Sequence, residues 1–436
     1  MRTRETPSRQ KLFSFILILI WLAVPAGLAA AAFPQARPAE VGLSAERLDR
    51  LTAVTQEYVS AGRLPGAVIL LVRDGKAAYF RSFGLLDPEK KTPMPTNAIF
   101  RIASQSKALT SVAVMMLMEE GKLLLGDRVS KYIPEFKETT VAVQSPEKGA
   151  SGWSVVPAKR PITVRDLLTH TAGISYGYGP AQALYKEAGV QGWFFADKDE
   201  PVGDCVKRLA KLPFDAQPGE KWVYGFNTDI LGYLVEVVSG QSLAAFIESR
   251  ITGPLGMTDT HFFLPESKLG RFTPVFGARK DGALELVERP EKSSYFVGPR
   301  KCFSGGAGLL STAEDYARFL QMLANGGELG GVRVLSPKSV ELMTVNHVGR
   351  LYGDQGFGLG FWVTEDLGKG SDPGSVGAFG WGGAYFTTYW VDPAEKMVCV
   401  FMTQLLPVPA AAADFQAKLR ALVYQSIVRS YARKQS

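Results

Sequence analysis

Ser104 and Lys107 are the two residues in this sequence whose types and spacing best suit nucleophilic chemistry. They lie in the stretch FRIASQSK, residues 100–107, directly before a run that is apolar on every face, residues 108–118. Residues three apart share one face of a helix, so the hydroxyl and the amine are predicted to lie together. A hydroxyl becomes nucleophilic when a nearby base accepts its proton. Burial and the positive end of the helix are expected to favour the neutral, basic form of Lys107.

Ser-x-x-Lys by itself is a weak signal, because the chain holds two more copies, Ser8…Lys11 and Ser145…Lys148. The first copy lies in the basic N-terminal leader, and the second lies in a polar stretch with no apolar helix behind it. Taken alone, the Ser104 pair is also explained by a helix-capping serine and an ordinary surface lysine. The choice between the two interpretations depends on features further along the chain.

The first 32 residues have the pattern of a secretory signal peptide: basic residues, an apolar run over 12–22 and small residues over 29–32. An uncleaved membrane anchor is the alternative, although the run is near the lower limit of ~17 residues for a span. The expected location is therefore secreted or periplasmic, with no stable membrane span after cleavage. Residues 33–436 are predicted to form a single catalytic domain.

Charge and metal-ligand residues exclude several function classes. The chain has a formal net charge of +7, of which the leader carries +3, and it has no basic run interleaved with aromatic residues, so nucleic-acid binding is not expected. The three histidines are scattered, and no metal site or cofactor is predicted. Cys205, Cys302 and Cys399 form no metal spacing and no disulfide framework, which leaves open whether two of them pair. The oligomeric state is also open.

Predicted strands lie near both ends of the mature chain, and helices lie between them. Ser44 caps a helix to about residue 61, residues 66–72 and 77–83 form a hairpin, and residues 384–391 and 397–403 form a second strand pair. The fold class is therefore α+β: an antiparallel sheet flanked by helices, with an inserted, mostly helical subdomain. We place the α/β part at about 33–100 and 270–436 and the helical part at about 101–269.

For two stretches of the helical part, the sequence predicts a general character rather than defined helices or strands. Residues 135–161 look polar and irregular, as in a surface excursion, and residues 174–215 are rich in Gly and aromatic residues that suit a lid or pocket wall. Between them, Thr163 opens a short helix with capping-box spacing. His170, near the end of that helix, is interpreted as a packed histidine.

Five features in order resemble the penicillin-recognising serine hydrolases, which include class C β-lactamases, D-alanyl-D-alanine carboxypeptidases and β-lactamase-like carboxylesterases. These features are Ser104-x-x-Lys107, the segment 167–173, Tyr224, the Gly-rich segment 306–312 and Trp381-Gly382-Gly383. The resemblance covers about residues 40–430. The ordered set is far more specific than any one of its motifs.

The resemblance implies a role for each matching residue. Ser104 would be the nucleophile, Lys107 its partner base, and Tyr224 a phenolic acid or base, as the tyrosine of a Tyr-x-Asn motif. The N–H groups of Ser104 and Ala384 would form the oxyanion hole, where a tetrahedral intermediate needs fixed donors. Gly382 and Gly383 would line the cleft as part of a strand.

Two positions depart from the β-lactamase pattern. Phe226 stands where Tyr-x-Asn has asparagine, with Asn227 one place later, and Trp381 stands where Lys-Thr-Gly has lysine. An indole offers apolar area and one N–H donor but no positive charge for a substrate carboxylate. In both changes the sequence resembles the carboxylesterase branch of the family, which tolerates uncharged, apolar substrates. Trp381, Gly382, Gly383, Phe226 and Asn227 are the predicted substrate-binding residues, and the expected substrate is a small ester or lactam.

Competing interpretations remain open at this point. Gly-Ile-Ser175-Tyr-Gly matches the Gly-x-Ser-x-Gly pattern but lacks the preceding strand of a nucleophile elbow, so Ser175 is interpreted as loop sequence. A β-lactamase, a D-amino-acid peptidase and an inactive penicillin-binding-type sensor are the alternatives to an esterase. Arg300 and Lys301 are a second possible source of the positive charge that Trp381 lacks.

Overall fold

A computed structural model describes residues 33–145 and 152–432. These residues belong to one compact unit. The predicted signal peptide and Lys148 of the third Ser-x-x-Lys copy lie outside the described residues.

The described residues contain both helices and strands throughout the chain. The α-helices are α1 (Ala45–Ser60), α2 (Ser106–Glu119), α3 (Val164–Leu168), α4 (Gln182–Glu187), α5 (Val202–Leu209), α6 (Asn227–Ser239), α7 (Leu243–Ile247), α8 (Ser294–Val297), α9 (Ala313–Ala324), α10 (Pro337–Met343) and α11 (Phe415–Tyr424). The strands are β1 (Gly66–Arg73), β2 (Lys76–Asp87), β3 (Thr92–Pro93), β4 (Phe100–Arg101), β5 (Thr140–Gln144), β6 (Trp153–Pro157), β7 (Val275–Ala278), β8 (Leu284–Glu288), β9 (Leu310–Ser311), β10 (Glu328–Leu329), β11 (Val332–Arg333), β12 (Gly356–Phe357), β13 (Trp362–Val363), β14 (Phe379–Gly382), β15 (Thr388–Asp392) and β16 (Met397–Met402).

One antiparallel sheet of eight strands draws on both ends of the chain. Its order is β12-β13-β14-β15-β16-β1-β2-β3, with β16 paired to β1 from Val68–Met402 to Arg73–Met397. The chain therefore closes the sheet by bringing its C-terminal strands against its N-terminal hairpin. The prediction of an α+β fold with an antiparallel sheet and flanking helices is confirmed.

Strand β1 is buried on both faces because helices cover both sides of the sheet. Val68 and Leu70 belong to one apolar cluster together with residues of α2 and α9, whereas Ile69 and Leu71 belong to another with residues of α1 and α11. Successive side chains of a strand point to opposite faces, so a continuous apolar run fits a strand with helices on both sides.

Helix α2 is almost wholly buried, from Ser106 to Leu117, as its uniformly apolar sequence predicts. It ends in a Schellman arrangement: Gly121 has a φ of 70°, its N–H donates to Met118 O, and the N–H of Lys122 donates to Leu117 O. Helix α6 packs on α2. Helix α2 is thereby packed into the interior of the molecule.

Three local predictions need correction or refinement. The stretch predicted to be irregular, 135–161, contains the hairpin β5–β6, in which Val141 pairs with Val156. The predicted strand 384–391 begins only at Thr388, because residues 383–387 form a tight turn in which Phe386 has a φ of 67°. Ser104 lies in a 3₁₀ turn, Ala103–Gln105, just before α2 rather than within its first turn.

Within the described residues, no single helix is long and apolar enough to cross a membrane. Two neighbouring helical segments, Asn227–Ser239 and Leu243–Thr252, are long and apolar enough when they are taken together, but the chain bends by 80° between them.

Candidate active site

Ser104 projects from the 3₁₀ turn that joins β4 to α2. The preceding residue, Ala103, is fully buried and has a φ of 43°, a left-handed conformation that is uncommon for a residue with a side chain. Ser104 itself is only half-buried and lines a cleft. The backbone thus reverses sharply immediately before the hydroxyl and presents it to solvent.

Lys107 lies one turn further along and is 2% exposed. Its Nζ donates to Gly306 O at 2.8 Å, to Tyr176 OH at 3.0 Å and to Ser104 Oγ at 3.4 Å. The predicted proximity of Ser104 and Lys107 is therefore present in the structure. We refer to Ser104, Lys107, Tyr176 and Tyr224 as the Lys107 cluster.

Lys107 differs from the sequence expectation in its charge. Burial lowers the pKa of the Lys107 ammonium, but Tyr176, Tyr224 and the buried Asp229 outweigh that effect and raise it above the ordinary value. The sequence-based expectation for the pKa of Lys107 took account of burial and of the helix end. It did not include these oxygen atoms, because they come from distant segments of the chain. This shift favours the ammonium form of Lys107, in contrast to the neutral amine that the sequence predicts.

Tyr224 lies in the loop before α6. Its oxygen accepts the Nε1–H of Trp381 at 3.1 Å, and Lys107 Nζ lies 4.6 Å from the centroid of its ring. A cation and an N–H donor therefore both face this phenol and stabilise negative charge that develops on it. The structure brings Tyr224 and Trp381 together with Lys107, in agreement with the sequence-based grouping.

Tyr176 is a functional candidate that sequence reasoning missed. Its ring packs edge-on against Tyr224, with centroids 5.6 Å apart, and its hydroxyl accepts from Lys107. Burial raises the pKa of the Tyr176 phenol, and Lys107 opposes this effect only in part. The sequence feature that could have identified Tyr176 is its position next to Ser175, in the aromatic stretch that is predicted to form a pocket wall.

A second layer of residues holds Gly306 in place. Asp229, fully enclosed at the start of α6, accepts from Ser304 Oγ at 2.5 Å and from the Gly306 N–H at 3.2 Å. Burial raises the pKa of the Asp229 carboxyl, and Lys107 partly counteracts this. A Cβ on Gly306 would lie 2.4 Å from Asp229 Oδ2, so only glycine fits there. Asp229 thereby orients the carbonyl that binds Lys107.

The opposite side of the site is formed by the end of β14 and the turn after it. Gly383 is packed so closely that a Cβ would lie 2.5 Å from Ile102 O, which explains the need for glycine. Ala384 follows in the turn, and its N–H has no acceptor in residues 33–145 and 152–432. Ser104 and Ala384 line the same cleft, as an oxyanion hole requires.

The cleft has a volume of about 550 Å³. None of its lining residues, all of them in the described part of the chain, carries a formal charge. The lining consists of Ser104, Tyr176, Trp193, Tyr224, Trp362, Trp381, Gly382, Gly383, Ala384, Phe386, Thr387, Thr388, Val408 and Gln416. We refer to Trp193, Trp362, Trp381 and Phe386 as the aromatic lining.

Phe226 and Asn227, predicted to bind substrate, lie behind the cleft wall instead. Phe226 is 1% exposed and stacks on Phe195, and Asn227 is fully buried, with its Nδ2 at 2.9 Å from His170 Nδ1. The start of α6 turns both side chains inward, so we assign them to packing. His170 is also buried, with its ring 4.9 Å from that of Tyr224, in the packed position that the sequence suggested.

Arg300 and Lys301 do not replace the charge that Trp381 lacks. Lys301 pairs with Asp199 at 2.7 Å, and Arg300 donates to Phe296 O at 2.7 Å. Ser175 lies in a loop after α3, where its hydroxyl accepts from the Gly177 N–H, and it is not part of the cleft lining. Among the residues that the structure describes, no group of three His, Cys, Asp or Glu side chains is arranged to hold a metal ion.

The chain is similar to a known protein family and to several of its members. The family model described as "Beta-lactamase" matches residues 51–423. Protein Rv1367c of Mycobacterium tuberculosis (strain ATCC 25618 / H37Rv) is 34% identical over 412 residues, which cover 88% of this chain and 98% of the relative.

Two further relatives carry names that refer to an activity. A protein of Escherichia coli (strain K12) named "Putative D-alanyl-D-alanine carboxypeptidase" is 29% identical, over 91% of this chain and 92% of its own length. Esterase EstB of Burkholderia gladioli is 29% identical, over 81% of this chain and 89% of its own length. Among solved structures, EstCE1, described as a hydrolase with promiscuous acyltransferase activity, matches with a TM-score of 0.74 and 26% identity, over 87% of this chain and 98% of its own.

Proposed function

The chain belongs to the beta-lactamase family of serine hydrolases, and we propose that it hydrolyses uncharged carboxylic esters through an acyl-enzyme on Ser104. The observation that carries this proposal is the uncharged cleft next to Ser104. A carboxylate that enters this cleft loses hydration, and none of the lining residues offers it a cationic partner, whereas a neutral ester has no such penalty. The esterase name of the Burkholderia gladioli relative is in line with this substrate class.

The proposed reaction begins with attack by Ser104 Oγ on the ester carbonyl carbon. Because Lys107 is already protonated, we assign the base to the phenolate form of Tyr224, which the Lys107 ammonium and the Trp381 N–H stabilise and which becomes a neutral phenol when it takes the serine proton. Tyr176 is less suited to this step because burial raises the pKa of its phenol. The N–H groups of Ser104 and Ala384 bind the oxyanion.

Collapse of the tetrahedral intermediate breaks the bond from the carbonyl carbon to the alcohol oxygen. The departing alcohol takes the proton back from Tyr224, which leaves the acyl group on Ser104. A water molecule then attacks the same carbon and gives its proton to Tyr224. Breakage of the bond to Ser104 Oγ, with return of the proton, releases the acid and restores the free enzyme.

The experiment that tests this proposal combines covalent labelling with turnover. A fluorophosphonate probe is expected to modify Ser104, and mass spectrometry of the digested protein locates the adduct. The Ser104→Ala variant is expected to lose both labelling and hydrolysis of a short-chain p-nitrophenyl ester, whereas the Ser175→Ala variant keeps both. Modification at Ser175, or labelling of Ser104 with no turnover of any ester, would reject the proposal; the second result would favour an inactive sensor.

A D-amino-acid peptidase is the second candidate, favoured by the name of the Escherichia coli relative. A panel of a short-chain ester, a lactone, a β-lactam and a peptide ending in D-Ala-D-Ala separates the classes on one preparation. We expect the highest kcat/KM for the ester. A kcat/KM for the peptide that matches or exceeds the ester value would replace the esterase assignment.

We also propose that the chain is exported to the periplasm or beyond, on the basis of the signal-peptide pattern in residues 1–32. Expression of the full chain in a Gram-negative host, followed by fractionation and N-terminal sequencing, tests this proposal. The expected mature N-terminus lies near residue 33. A full-length chain in the membrane fraction would indicate an uncleaved anchor instead.

A further inference from the structure

The dipeptide Gln404-Leu405, just beyond the end of β16, lies between the two segments that carry the candidate oxyanion donors. Gln404 is 2% exposed and Leu405 is fully buried, and neither residue lines the cleft. A buried glutamine is costly unless its amide is fully hydrogen-bonded. The partners of this side chain therefore show what it holds in place.

The Gln404 side chain pairs with the main chain of Arg101, three residues before Ser104. Its Oε1 accepts from the Arg101 N–H at 3.1 Å, and its Nε2 donates to Arg101 O at 3.0 Å, as an adjacent strand would. The Arg101 guanidinium also donates to Oε1, at 3.2 Å, and Nε2 also donates to Thr403 O, at 2.7 Å. Every donor and acceptor of this amide is used.

The next residue holds the other half of the site. The Leu405 N–H donates to Tyr385 O at 3.1 Å, one residue after Ala384. Ala103 and Tyr385 belong to one apolar cluster, against which Ala384 packs. The dipeptide is therefore bonded on one side to the strand that leads into Ser104 and on the other to the turn that carries Ala384.

We propose that Gln404 is a positioning residue that sets the separation of the Ser104 and Ala384 N–H groups in the oxyanion hole. Gly383 packs so closely on Ile102 that a Cβ would lie 2.5 Å from Ile102 O, which limits a closer approach of the two segments, and the bonds of Gln404 and Leu405 prevent them from moving apart. Oxyanion donors act only when they are fixed where charge develops, and a misplacement of ~1 Å can cost about 10²-fold in rate. This inference rests on the proposed acyl-enzyme function.

The test compares Gln404→Met with the wild type, because methionine is of similar length but makes none of the four hydrogen bonds. We expect kcat for a short-chain p-nitrophenyl ester to fall about 10–100-fold, with KM changed by less than about threefold. An alkyl boronic acid, which adds to the serine as a tetrahedral anion, should lose affinity by a similar factor. A purely structural role would not weaken this anion selectively over the neutral substrate.

Two further variants keep the result interpretable. Gln321→Met removes another buried glutamine, 5% exposed on α9 with Nε2 bonded to Asn325, and is expected to keep wild-type kinetics. Gln404→Glu, of the same shape, still accepts from Arg101 but faces two carbonyl oxygens without a donor. We expect about a 3–10-fold loss of kcat, so this variant tests the proposal if Gln404→Met does not fold.

The possible results separate this inference from the proposed function. A wild type that hydrolyses the ester, together with unchanged kcat and boronic acid affinity in the Gln404 variants, overturns only the role of Gln404. A loss that Gln321→Met shares to the same extent also overturns it, since the effect would then be general destabilisation. A wild type without ester hydrolysis overturns the proposed function itself.

Discussion

The Lys107 cluster and the aromatic lining occupy the same cleft but are held in place by different forces. Lys107 donates to three oxygen atoms from three separate segments, and Asp229 fixes one of them from behind. In the aromatic lining, by contrast, the Trp381 side chain contacts its neighbours mainly ring to ring, and its indole N–H donates to Tyr224.

This difference indicates where rate and selectivity are set. A buried, fully bonded cation cannot lose a partner without a large penalty, so changes in the cluster should slow the reaction of every substrate. Ring-to-ring contacts tolerate substitution better and present apolar area to the substrate. Changes in the aromatic lining should therefore alter which substrate reacts more than how fast the best substrate reacts.

The largest expected effect comes from removal of the Lys107 charge. The variant Lys107→Met should lower kcat about 10²–10⁴-fold for every ester tested, because the Tyr224 phenolate that accepts the serine proton loses the cation that stabilises it. Steady-state kinetics on three acyl chain lengths checks this. Lys122→Met, an exposed lysine beyond the same helix, is the matched control and should keep wild-type rates. A Lys107→Met enzyme within fivefold of the wild type would remove Lys107 from the mechanism.

Removal of either phenol of the Lys107 cluster should lower kcat, but by different factors. We expect Tyr224→Phe to lose about 10²–10⁴-fold in kcat and Tyr176→Phe about tenfold, because only Tyr224 is assigned the proton transfer. The two substitutions remove the same atom from neighbouring rings, so each is the control for the other. Thermal denaturation verifies that both fold. If Tyr176→Phe is the slower enzyme, the two roles must be exchanged.

In the aromatic lining, Trp381→Lys should change selectivity. A cation at this position favours a substrate carboxylate, so the ratio of ester to cephalosporin kcat/KM should fall by at least about tenfold. Trp381→Met has a similar reach without charge and accounts for the lost N–H bond to Tyr224. An equal ratio in Trp381→Lys and Trp381→Met would show that the missing cation does not determine selectivity.

Sequence reasoning succeeded where a local pattern determines the structure. The apolar run after Ser104 predicted a buried helix, and the start of that helix brings Lys107 next to Ser104. The strand and turn signals at both ends of the chain likewise predicted the antiparallel sheet, in which the structure pairs β16 with β1.

Contacts between distant segments were beyond sequence reasoning. Tyr176 meets Lys107 across 69 residues, and Gly306 O reaches Lys107 across 199, so neither the extra phenol nor the raised pKa of Lys107 is visible in any spacing. Phe226 and Asn227 were assigned from the position of a motif. Their inward direction depends on how α6 begins against α3, which the motif does not encode.

The smallest expected effect lies outside the cleft, at Asp315 in the first turn of α9. Burial raises the pKa of the Asp315 carboxyl from 3.8 to about 6, although it accepts from the Asp259 N–H at 2.7 Å and from Thr260 Oγ1 at 3.0 Å. A carboxyl whose pKa is higher in the folded state stabilises the fold fully below its unfolded value, near 4. That stabilisation is lost as the pH rises through about 6.

The free energy of unfolding should therefore decline between about pH 4 and pH 6, by up to about 3 kcal/mol from this group. Asp315→Asn keeps an acceptor oxygen and does not titrate, so its stability should lack this part of the pH dependence. Urea denaturation of both proteins at pH 4, 5, 6 and 7 measures the difference. Because Asp315 does not line the cleft, ester kcat/KM at pH 7 should be unchanged. Parallel stability profiles for the two proteins would show that folding does not raise the pKa of Asp315. An Asp315→Asn variant that is slower on esters would show that Asp315 also affects the Lys107 cluster.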